Sequence, residues 1–167
     1  MNGMLIYITG FSGSGKTTIG KALQSKIPNS ILLDGDEIRK SLNIDLGYSK
    51  PHKIENIRRN NELIKLLYSQ GFTVIACFMS SIKDERDKVF TTCEYNVKVQ
   101  LITPVEVCKA RDVKGLYSKN LENFSGVSFP YEGFGTPDIA IDTSIESLNT
   151  SVNKVYTKYR EALIKNT

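Results

Sequence analysis

The sequence predicts an α/β domain with a five-stranded parallel sheet and helices on both of its faces. Two observations predict this class. Apolar segments typical of buried strands alternate with segments of helical periodicity from one end of the chain to the other. The length of 167 residues suffices for one domain with a full core, so we expect a single domain over residues 1–167.

The first unit is a strand, a glycine-rich turn and a helix. The apolar run 4–9 predicts a buried strand, and the periodicity of 17–27 predicts a helix. Between them, residues 10–17 are Gly-Phe-Ser-Gly-Ser-Gly-Lys-Thr, which fits the phosphate-binding pattern G-x-x-x-x-G-K-[ST]. The sequence therefore predicts that the chain binds a nucleoside triphosphate.

Each part of this turn has a chemical role. Its glycines let backbone N–H groups turn towards phosphate oxygens, and the start of the helix adds partial positive charge. Lys16 should reach the β- and γ-phosphates, and the hydroxyl of Thr17 should hold Mg²⁺. The predicted triphosphate-binding residues of the turn are Gly10, Ser12, Gly13, Ser14, Gly15, Lys16, Thr17 and Thr18.

Four further strands and four further helices are predicted along the rest of the chain. Apolar and β-branched residues predict strands over 30–34, 72–78, 97–102 and 139–142. Helical periodicity predicts helices over 50–70, from 81 to about 93, after 103 and after 143. The last helix should bury an apolar stripe that consists of Ile145, Leu148, Val152, Val155, Tyr159 and Leu163.

Three of these helices begin with capping signals. Ser81 should cap the helix that follows it. Residues 103–106 combine a Thr…Glu capping box with Pro104 at the first helical position, and Thr143 with Glu146 forms another box. These signals place helix starts just after strand ends, which is the edge where ligands gather in parallel sheets.

The stretch from 113 to 137 carries neither a helical nor a strand pattern and contains four glycines and two prolines. A structureless stretch of this length in a compact domain is typical of a lid or a binding loop. We therefore expect a lid at the same edge of the sheet as the phosphate-binding turn.

Composition narrows the functional classes. The chain has 22 basic and 18 acidic residues, a net charge of +4, and no basic run of the kind that binds nucleic acid. Its three cysteines lack C-x-x-C spacing and are typical of buried thiols in a reducing compartment. A single histidine argues against a His-based zinc site or a Ser-His-Asp triad. Without a signal peptide or an apolar run of transmembrane length, we expect a cytoplasmic protein that binds neither nucleic acid nor membrane.

The second predicted strand ends in two carboxylates, Asp34 and Asp36. Phosphoryl transfer needs one group in the Mg²⁺ shell and one that takes or orients the proton of the acceptor hydroxyl. We assign Asp34 to the metal and Asp36 to the acceptor. The alternative is a pair of solvated turn residues, because Asp-Gly-Asp also favours turns.

Cationic and aromatic residues predict a second ligand beside the triphosphate. A cluster rich in cations follows Asp36 and suggests an anionic ligand, with a solvated basic face as the alternative. Phe78 and Phe124 lie in ligand-edge segments, where they would stack on a base or simply pack in the core. The cluster consists of the cations Arg39, Lys53, Arg58 and Arg59 together with the neutral Asn56.

Several segments resemble adenylylsulfate kinase, in order, along nearly the whole chain. The most specific are the Asp-Gly-Asp-x-x-Arg pattern of 33–39 and the Lys-Gly-Leu-Tyr pattern within 111–117. The other matching segments are 42–48, 55–59, 77–80, 124–127, 130–132 and 136–139. The resemblance implies a P-loop kinase fold, a homodimer, and transfer of the ATP γ-phosphate to the ribose 3′-hydroxyl of adenylyl sulfate.

The resemblance also implies residue roles. Asp34 and Asp36 should flank the acceptor ribose and the metal, Lys114 should meet the transferred phosphate, and Arg111 should lie near the ATP adenine. Ser80 matches a position sometimes labelled a phosphoserine intermediate, but direct in-line transfer needs no covalent enzyme step. The implied acceptor-binding residues are Asp36, Arg39, Tyr48, Lys53, Asn56, Phe78, Met79, Ser80, Lys114 and Phe124.

Three departures from the family pattern lie on the acceptor side. Lys53 replaces an arginine and Tyr48 replaces a phenylalanine. The lid between 117 and 124 is shorter than usual, and Ser128 replaces an aspartate. Lysine presents a point charge where arginine presents a two-point fork. The acceptor therefore stays open between adenylyl sulfate and another modified nucleotide, such as a cytidine diphosphoramidate of capsule biosynthesis.

Other functional classes fit less well. A GTPase switch would carry an Asn-Lys-x-Asp guanine motif, which is absent from the sequence. A gluconate- or shikimate-type kinase would share the phosphate-binding turn but would not be expected to carry Lys-Gly-Leu-Tyr. A non-catalytic nucleotide-binding regulator would be expected to lose Lys16, Thr17 or Asp36, and all three are present.

Overall fold

The computed structural model describes residues 3–166. Its strands are β1 Met4–Thr9, β2 Ser30–Asp34, β3 Thr73–Cys77, β4 Asn96–Leu101 and β5 Ile139–Ile141. They form a parallel sheet in the order β2-β3-β1-β4-β5, which confirms the predicted fold class. Residues 1, 2 and 167 of the predicted single domain lie outside the described residues.

The α-helices are α1 Lys16–Lys26, α2 Gly35–Lys40, α3 Lys50–Ser69, α4 Lys83–Asp87, α5 Val105–Arg111 and α6 Leu148–Ile164. The short helix α2 was not among the predicted helices. In the structure the Asp34 carboxylate caps α2 by accepting from the N–H groups of Asp36 at 2.9 Å and Glu37 at 3.3 Å.

The central strand β1 divides the core into two layers. Its side chains alternate between the faces of the sheet. Ile6 and Ile8 pack with α1 and α6, whereas Leu5 and Tyr7 pack with α3. Both β1 and β3 are buried throughout, as expected for parallel strands that are covered on both faces.

Two predicted helix starts are wrong, because the threonines that follow β4 and β5 bind each other. The hydroxyls of Thr103 and Thr143 lie 2.9 Å apart, and Thr143 also donates to the Ser14 carbonyl at 2.8 Å. Pro104 is the N-cap of α5 rather than its first residue. These threonines therefore brace the phosphate-binding turn instead of capping helices.

The last helix begins later than predicted. Ser147 is its N-cap, and the Ser147 hydroxyl accepts from the N–H of Thr150. Ile145, which precedes the helix, is 82% exposed, and Leu148 in its first turn is 46% exposed, so neither belongs to the buried stripe. The buried part of the predicted stripe is Val152, Val155 and Tyr159, with Leu163 partly buried.

The predicted helix from 81 to about 93 is also shorter than expected. Ile82 is the N-cap of α4, which ends at Asp87 and continues as the 3₁₀ helix Lys88–Thr91. Ser81 does not cap it, because the Ser81 hydroxyl accepts a hydrogen bond from Ser125 in the lid at 3.0 Å. Within residues 3–166, no helix is both long and apolar enough to cross a membrane.

Candidate active site

A cleft of about 660 Å³ opens at the carboxyl edge of the sheet. Its walls come from the glycine-rich turn, α2, α3, the segment after β3 and the lid. Gly10 and Ser14 lie behind the wall, whereas the other predicted site residues line it. Those lining residues are Ser12, Gly13, Gly15, Lys16, Thr17, Thr18, Asp34, Asp36, Arg39, Tyr48, Lys53, Asn56, Phe78, Met79, Ser80, Arg111, Lys114 and Phe124.

The glycine-rich turn adopts a conformation that requires its glycines. Gly13 and Gly15 have φ angles of 80° and 101°, which other residues adopt only with strain. A Cβ atom on Gly10 would lie 2.8 Å from the Cβ of Leu101, so the corner between β1 and the turn has no room for a side chain. The chain thus fixes a curled backbone at the start of α1, the arrangement that binds phosphate.

Lys16 lies inside this turn. Its ammonium donates to the carbonyl oxygens of Gly10 and Phe11, both at 2.8 Å. Burial, together with the nearby charge of Lys114, lowers the pKa of Lys16 to about 8. No carboxylate pairs with Lys16 in the part of the chain that the structure describes. A desolvated cation of this kind favours a bound anion.

Thr17 and Asp34, the two predicted metal ligands, lie in contact. The Thr17 hydroxyl donates to one Asp34 oxygen, while the other oxygen caps α2. Two oxygen donors suit Mg²⁺, which takes few protein ligands and completes its shell with water and phosphate oxygens. Residues 3–166 contain no group of three or more His, Cys, Asp or Glu side chains that could hold a metal. The donor set therefore fits an ion shared with a triphosphate.

The lid brings Lys114 to the second carboxylate of the acidic pair. The Lys114 ammonium forms an ion pair with Asp36, and both side chains are 45% exposed. The two groups lie 78 positions apart in the sequence. The structure thus places the predicted acceptor-orienting acid and the predicted phosphate-binding lysine at one point in the cleft.

Arg111, the last residue of α5, connects this helix to the phosphate-binding turn. Its guanidinium donates to the Gly13 carbonyl at 3.1 Å and to both the hydroxyl and the carbonyl of Thr143 at 2.9 Å. Tyr117, in the lid, donates to the Ser12 carbonyl at 2.7 Å. These contacts close one side of the turn and leave the opposite side open to the acceptor half of the cleft.

In the acceptor half, Lys53 is a buried cation on α3. It is 8% exposed and donates to the Ser125 hydroxyl at 2.8 Å, and its ammonium lies 4.7 Å from the centre of the Phe129 ring. Burial, and then the charge of Arg39, lowers the pKa of Lys53 to about 8. Among the described residues no carboxylate pairs with it, and an uncompensated buried charge is costly.

Arg39 and Asn56 flank this lysine. The Arg39 guanidinium lies 4.4 Å from the centre of the Tyr48 ring and donates to the carbonyls of Leu46 and Gly47. The side-chain carbonyl of Asn56 accepts from Asn43 at 2.9 Å. Arg58 and Arg59 instead pair with acidic neighbours on the surface, so these two belong to a solvated face.

Two aromatic rings stand in the walls of the acceptor half. Phe78 is 2% exposed and packs edge-on against Tyr7, with ring centres 6.0 Å apart. Phe124 packs edge-on against Tyr117 at 4.9 Å. Ser80, beside Phe78, accepts from the Tyr7 hydroxyl at 2.7 Å. Phe78 packs in the core and also lines the cleft, and its stacking on a base stays a prediction.

Ser128 has a structural role in the lid. Its hydroxyl accepts from the N–H of Phe124 at 2.9 Å and donates to the Leu121 carbonyl at 2.7 Å. These bonds close the turn that presents Phe124 to the cleft, and they explain how the short lid holds its shape with serine at this position.

Sequence reasoning missed three residues that support the site. Thr143 was taken for a helix cap, and Tyr7 for an ordinary core residue of β1. Arg86 lay within the predicted helix from 81 to about 93 and was given no role, although it is completely buried. No local pattern distinguishes these residues, because their partners are distant in the sequence: 129 positions separate Thr143 from Ser14, and 73 separate Tyr7 from Ser80.

Comparison with known proteins identifies the family. The family model described as adenylylsulphate kinase matches residues 2–142 of the chain. The chain belongs to the adenylylsulphate kinase family. This membership confirms the resemblance found in the motifs and the predicted phosphotransferase chemistry.

Individual relatives agree with this assignment. The adenylyl-sulfate kinase of Clostridium kluyveri is 42% identical over 163 residues, which cover 92% of this chain and 82% of the relative. That of Bacteroides thetaiotaomicron is 41% identical over 162 residues, or 91% of this chain and 81% of the relative. The structure of the Mycobacterium tuberculosis APS kinase CysC in complex with AMPPNP and APS has a TM-score of 0.81 at 30% identity, and the match covers 93% of this chain and 96% of that one.

More distant neighbours share the fold alone. A gluconokinase from Sinorhizobium meliloti has a TM-score of 0.65 at 16% identity, with coverage of 99% of this chain and 94% of that one. The adenylylsulphate kinase family is therefore favoured over a gluconate-type kinase, and a modified cytidine nucleotide is not favoured as the acceptor.

Proposed function

We propose that this family member transfers the γ-phosphate of ATP to the ribose 3′-hydroxyl of adenylyl sulfate. The observation that carries the proposal is the cleft itself, which joins a phosphate-binding turn to a basic half with aromatic walls. Acceptor and donor sites in one cleft suit transfer between two nucleotides. The names of the relatives and the complex of CysC with AMPPNP and APS support the choice of ATP and adenylyl sulfate.

The donor half binds ATP. Backbone N–H groups of the turn and the Lys16 ammonium hold the β- and γ-phosphates. Thr17 and Asp34 would hold Mg²⁺, which supplies positive charge to the phosphate oxygens when bound. Arg111 lies on the outer side of the turn, where it would contact the adenine.

The acceptor half orients adenylyl sulfate. Phe78 and Phe124 flank the adenine ring, while Lys53 and Arg39 bind the anionic phosphosulfate. Asp36 then accepts the proton of the 3′-hydroxyl as the hydroxyl oxygen attacks the γ-phosphorus. The bond from this phosphorus to the β–γ bridging oxygen breaks, and ADP leaves. Lys114, already beside Asp36, neutralises the transferred phosphate. No covalent enzyme intermediate enters this scheme, and Ser80 orients the segment rather than accepting phosphate.

From the sequence and the resemblance, we further propose the localisation, the oligomeric state and the metal. The enzyme is placed in the cytoplasm as a homodimer that uses Mg²⁺. The buried cysteines Cys77, Cys93 and Cys108, which form no disulfide within the described residues, fit a reducing compartment.

Acceptor binding should weaken as the pH rises, because Lys53 must be charged to bind an anion. With a pKa of about 8, Lys53 is protonated at pH 7 and largely neutral at pH 9. The affinity for adenylyl sulfate, measured by calorimetry without ATP, should therefore fall about tenfold from pH 7 to pH 9. Lys53→Arg, which stays charged, should remove this dependence. An unchanged dependence in Lys53→Arg would assign the titration to another group.

The direct test of the proposed reaction uses the acceptor hydroxyl. With adenylyl sulfate and ATP, we expect ADP release and a product one phosphate heavier. With the 3′-deoxy analogue of adenylyl sulfate, we expect neither. Transfer to the 3′-deoxy analogue would contradict the proposed site of phosphorylation.

A further inference from the structure

Arg86 on α4 is a fully buried cation outside the cleft. Its side chain has no solvent exposure, and it does not line the cleft. Four of its five guanidinium N–H groups can be matched to acceptors, of which three are backbone carbonyls and one is the Asp87 carboxylate. The guanidinium also lies 4.5 Å from the centre of the Phe134 ring. A fully buried arginine adds nothing to the solubility of the surface, and arginine is almost never fully buried unless its charge is paired.

The three carbonyls belong to two separate segments of the cleft region. Arg86 donates to the carbonyl of Ser80 at 3.2 Å, in the segment after β3. It also donates to the carbonyls of Glu132 at 2.5 Å and Gly133 at 3.0 Å, where the lid returns to the sheet. The planar fork of arginine therefore joins one wall of the cleft to the base of the lid.

Other bonds make this junction rigid. The N–H of Glu132 donates to the Ser81 carbonyl at 3.0 Å, and the Glu132 carboxylate accepts from the N–H of Lys83 at 2.9 Å. Ser80 has a φ angle of 38°, a left-handed value that is strained for serine. Its hydroxyl is held by Tyr7 and its carbonyl by Arg86, so the strained conformation is fixed from two sides.

The junction leads to the acceptor half of the cleft. Lys53 donates to the Ser125 hydroxyl, which in turn donates to Ser81 at 3.0 Å. Ser81 directly follows Ser80, whose carbonyl accepts a hydrogen bond from Arg86. By contrast, the residues that Arg86 contacts do not include the glycine-rich turn or Thr17. A displacement of the Ser80–Ser81 segment would therefore act directly on the acceptor site. It would reach the ATP site less directly, through the Thr9 hydroxyl, which donates to the carbonyl of the neighbouring Met79 at 2.6 Å.

We propose that Arg86 is a positioning residue for the acceptor: by joining the Ser80–Ser81 segment to the base of the lid, it sets the geometry in which Lys53 and Ser125 meet the acceptor nucleotide. This inference rests on the proposed function. Arg86 touches neither substrate, and acts through the backbone of Ser80.

Arg86→Lys tests the inference, because lysine keeps the charge but lacks the planar fork that reaches Ser80 and the base of the lid at the same time. We expect kcat/KM for adenylyl sulfate to fall about 10- to 100-fold, as for other small misplacements of a bound substrate. The dissociation constant for ATP should stay within about twofold. Val155→Ala is the matched control, since it removes buried core volume on the other face of the sheet and should lower stability without a selective effect on the acceptor.

Tyr7→Phe is the second variant, and it decides the matter if Arg86→Lys does not fold. It removes only the hydroxyl that donates to Ser80. A lower kcat/KM for adenylyl sulfate with an unchanged dissociation constant for ATP would support the inference. The inference would be overturned if Arg86→Lys weakened ATP binding by the same factor as it lowered kcat/KM for adenylyl sulfate. An unchanged kcat/KM for adenylyl sulfate in either folded variant would also overturn it. Failure of the proposed function would appear separately, as absent transfer to adenylyl sulfate by the wild-type enzyme.

Discussion

Lys16→Ala should abolish phosphoryl transfer, with turnover reduced by at least about 10²- to 10³-fold, the effect of removing one preorganised charge donor. Lys16 places its ammonium inside the glycine-rich turn, and it has no carboxylate partner among the described residues that would compete with phosphate. Lys114, whose charge acts on Lys16, is on the lid and pairs with Asp36. The measurement is ADP release at saturating acceptor.

The fold should survive this substitution. The pKa of Lys16 is lowered in the folded protein, so below pH 8 the folded state bears the cost of keeping a desolvated charge. Removal of the charge should leave the melting temperature unchanged or raise it. Lys21→Ala, at an exposed position on α1, is the matched control and should keep full activity. Turnover above a few per cent of wild type in Lys16→Ala would disprove the assigned role.

Asp36→Asn should lower turnover by about 10²- to 10⁴-fold, the usual contribution of a positioned acid–base group. Asparagine has nearly the same shape but cannot take the proton of the acceptor hydroxyl. ATP affinity should change little, because Asp36 contacts the lid rather than the glycine-rich turn. Loss of the half-exposed pair with Lys114 should cost at most about 1 kcal/mol of stability. The rate of transfer in a single turnover measures the first effect, and a separate titration with ATP measures the affinity.

Two neighbouring substitutions serve as controls for Asp36. Glu37→Gln changes an exposed acid on the same helix and should leave turnover close to wild type. Ser80→Ala should be much milder than Asp36→Asn, because the Ser80 hydroxyl only accepts from Tyr7. Stable radiolabel on Ser80 after incubation with ATP alone would contradict direct transfer, as would an Asp36→Asn enzyme with near-normal turnover.

Features encoded over short stretches could be predicted from the sequence. The strands β1 and β2 have the bounds that their apolar runs predicted, and the glycine-rich turn lies between β1 and α1 as its pattern requires. These features depend on backbone sterics and on burial of consecutive residues, which a local pattern records. The same holds for the pair Asp34 and Asp36, whose position at a strand end placed both in the cleft.

Features that depend on distant partners could not be predicted. Thr103 and Thr143 have the sequence of helix caps, but the sheet brings their hydroxyls together across 40 positions. Arg86 stands among charged residues typical of a surface helix, and only the return of the lid encloses it, 46 positions later. In both cases a tertiary hydrogen bond displaced the local preference, and single-sequence periodicity carries no record of such a bond.

We propose adenylyl sulfate as the acceptor, and kcat/KM across a panel of acceptors would show whether the enzyme prefers it. The panel would contain adenylyl sulfate, AMP, cytidine diphosphoramidate, gluconate and shikimate, each with saturating ATP and Mg²⁺. We predict a value for adenylyl sulfate within the ordinary enzymatic range of about 10⁴–10⁸ M⁻¹s⁻¹, and far lower values for the others. A value for adenylyl sulfate several decades below this range, beside efficient transfer to another member of the panel, would contradict this proposal.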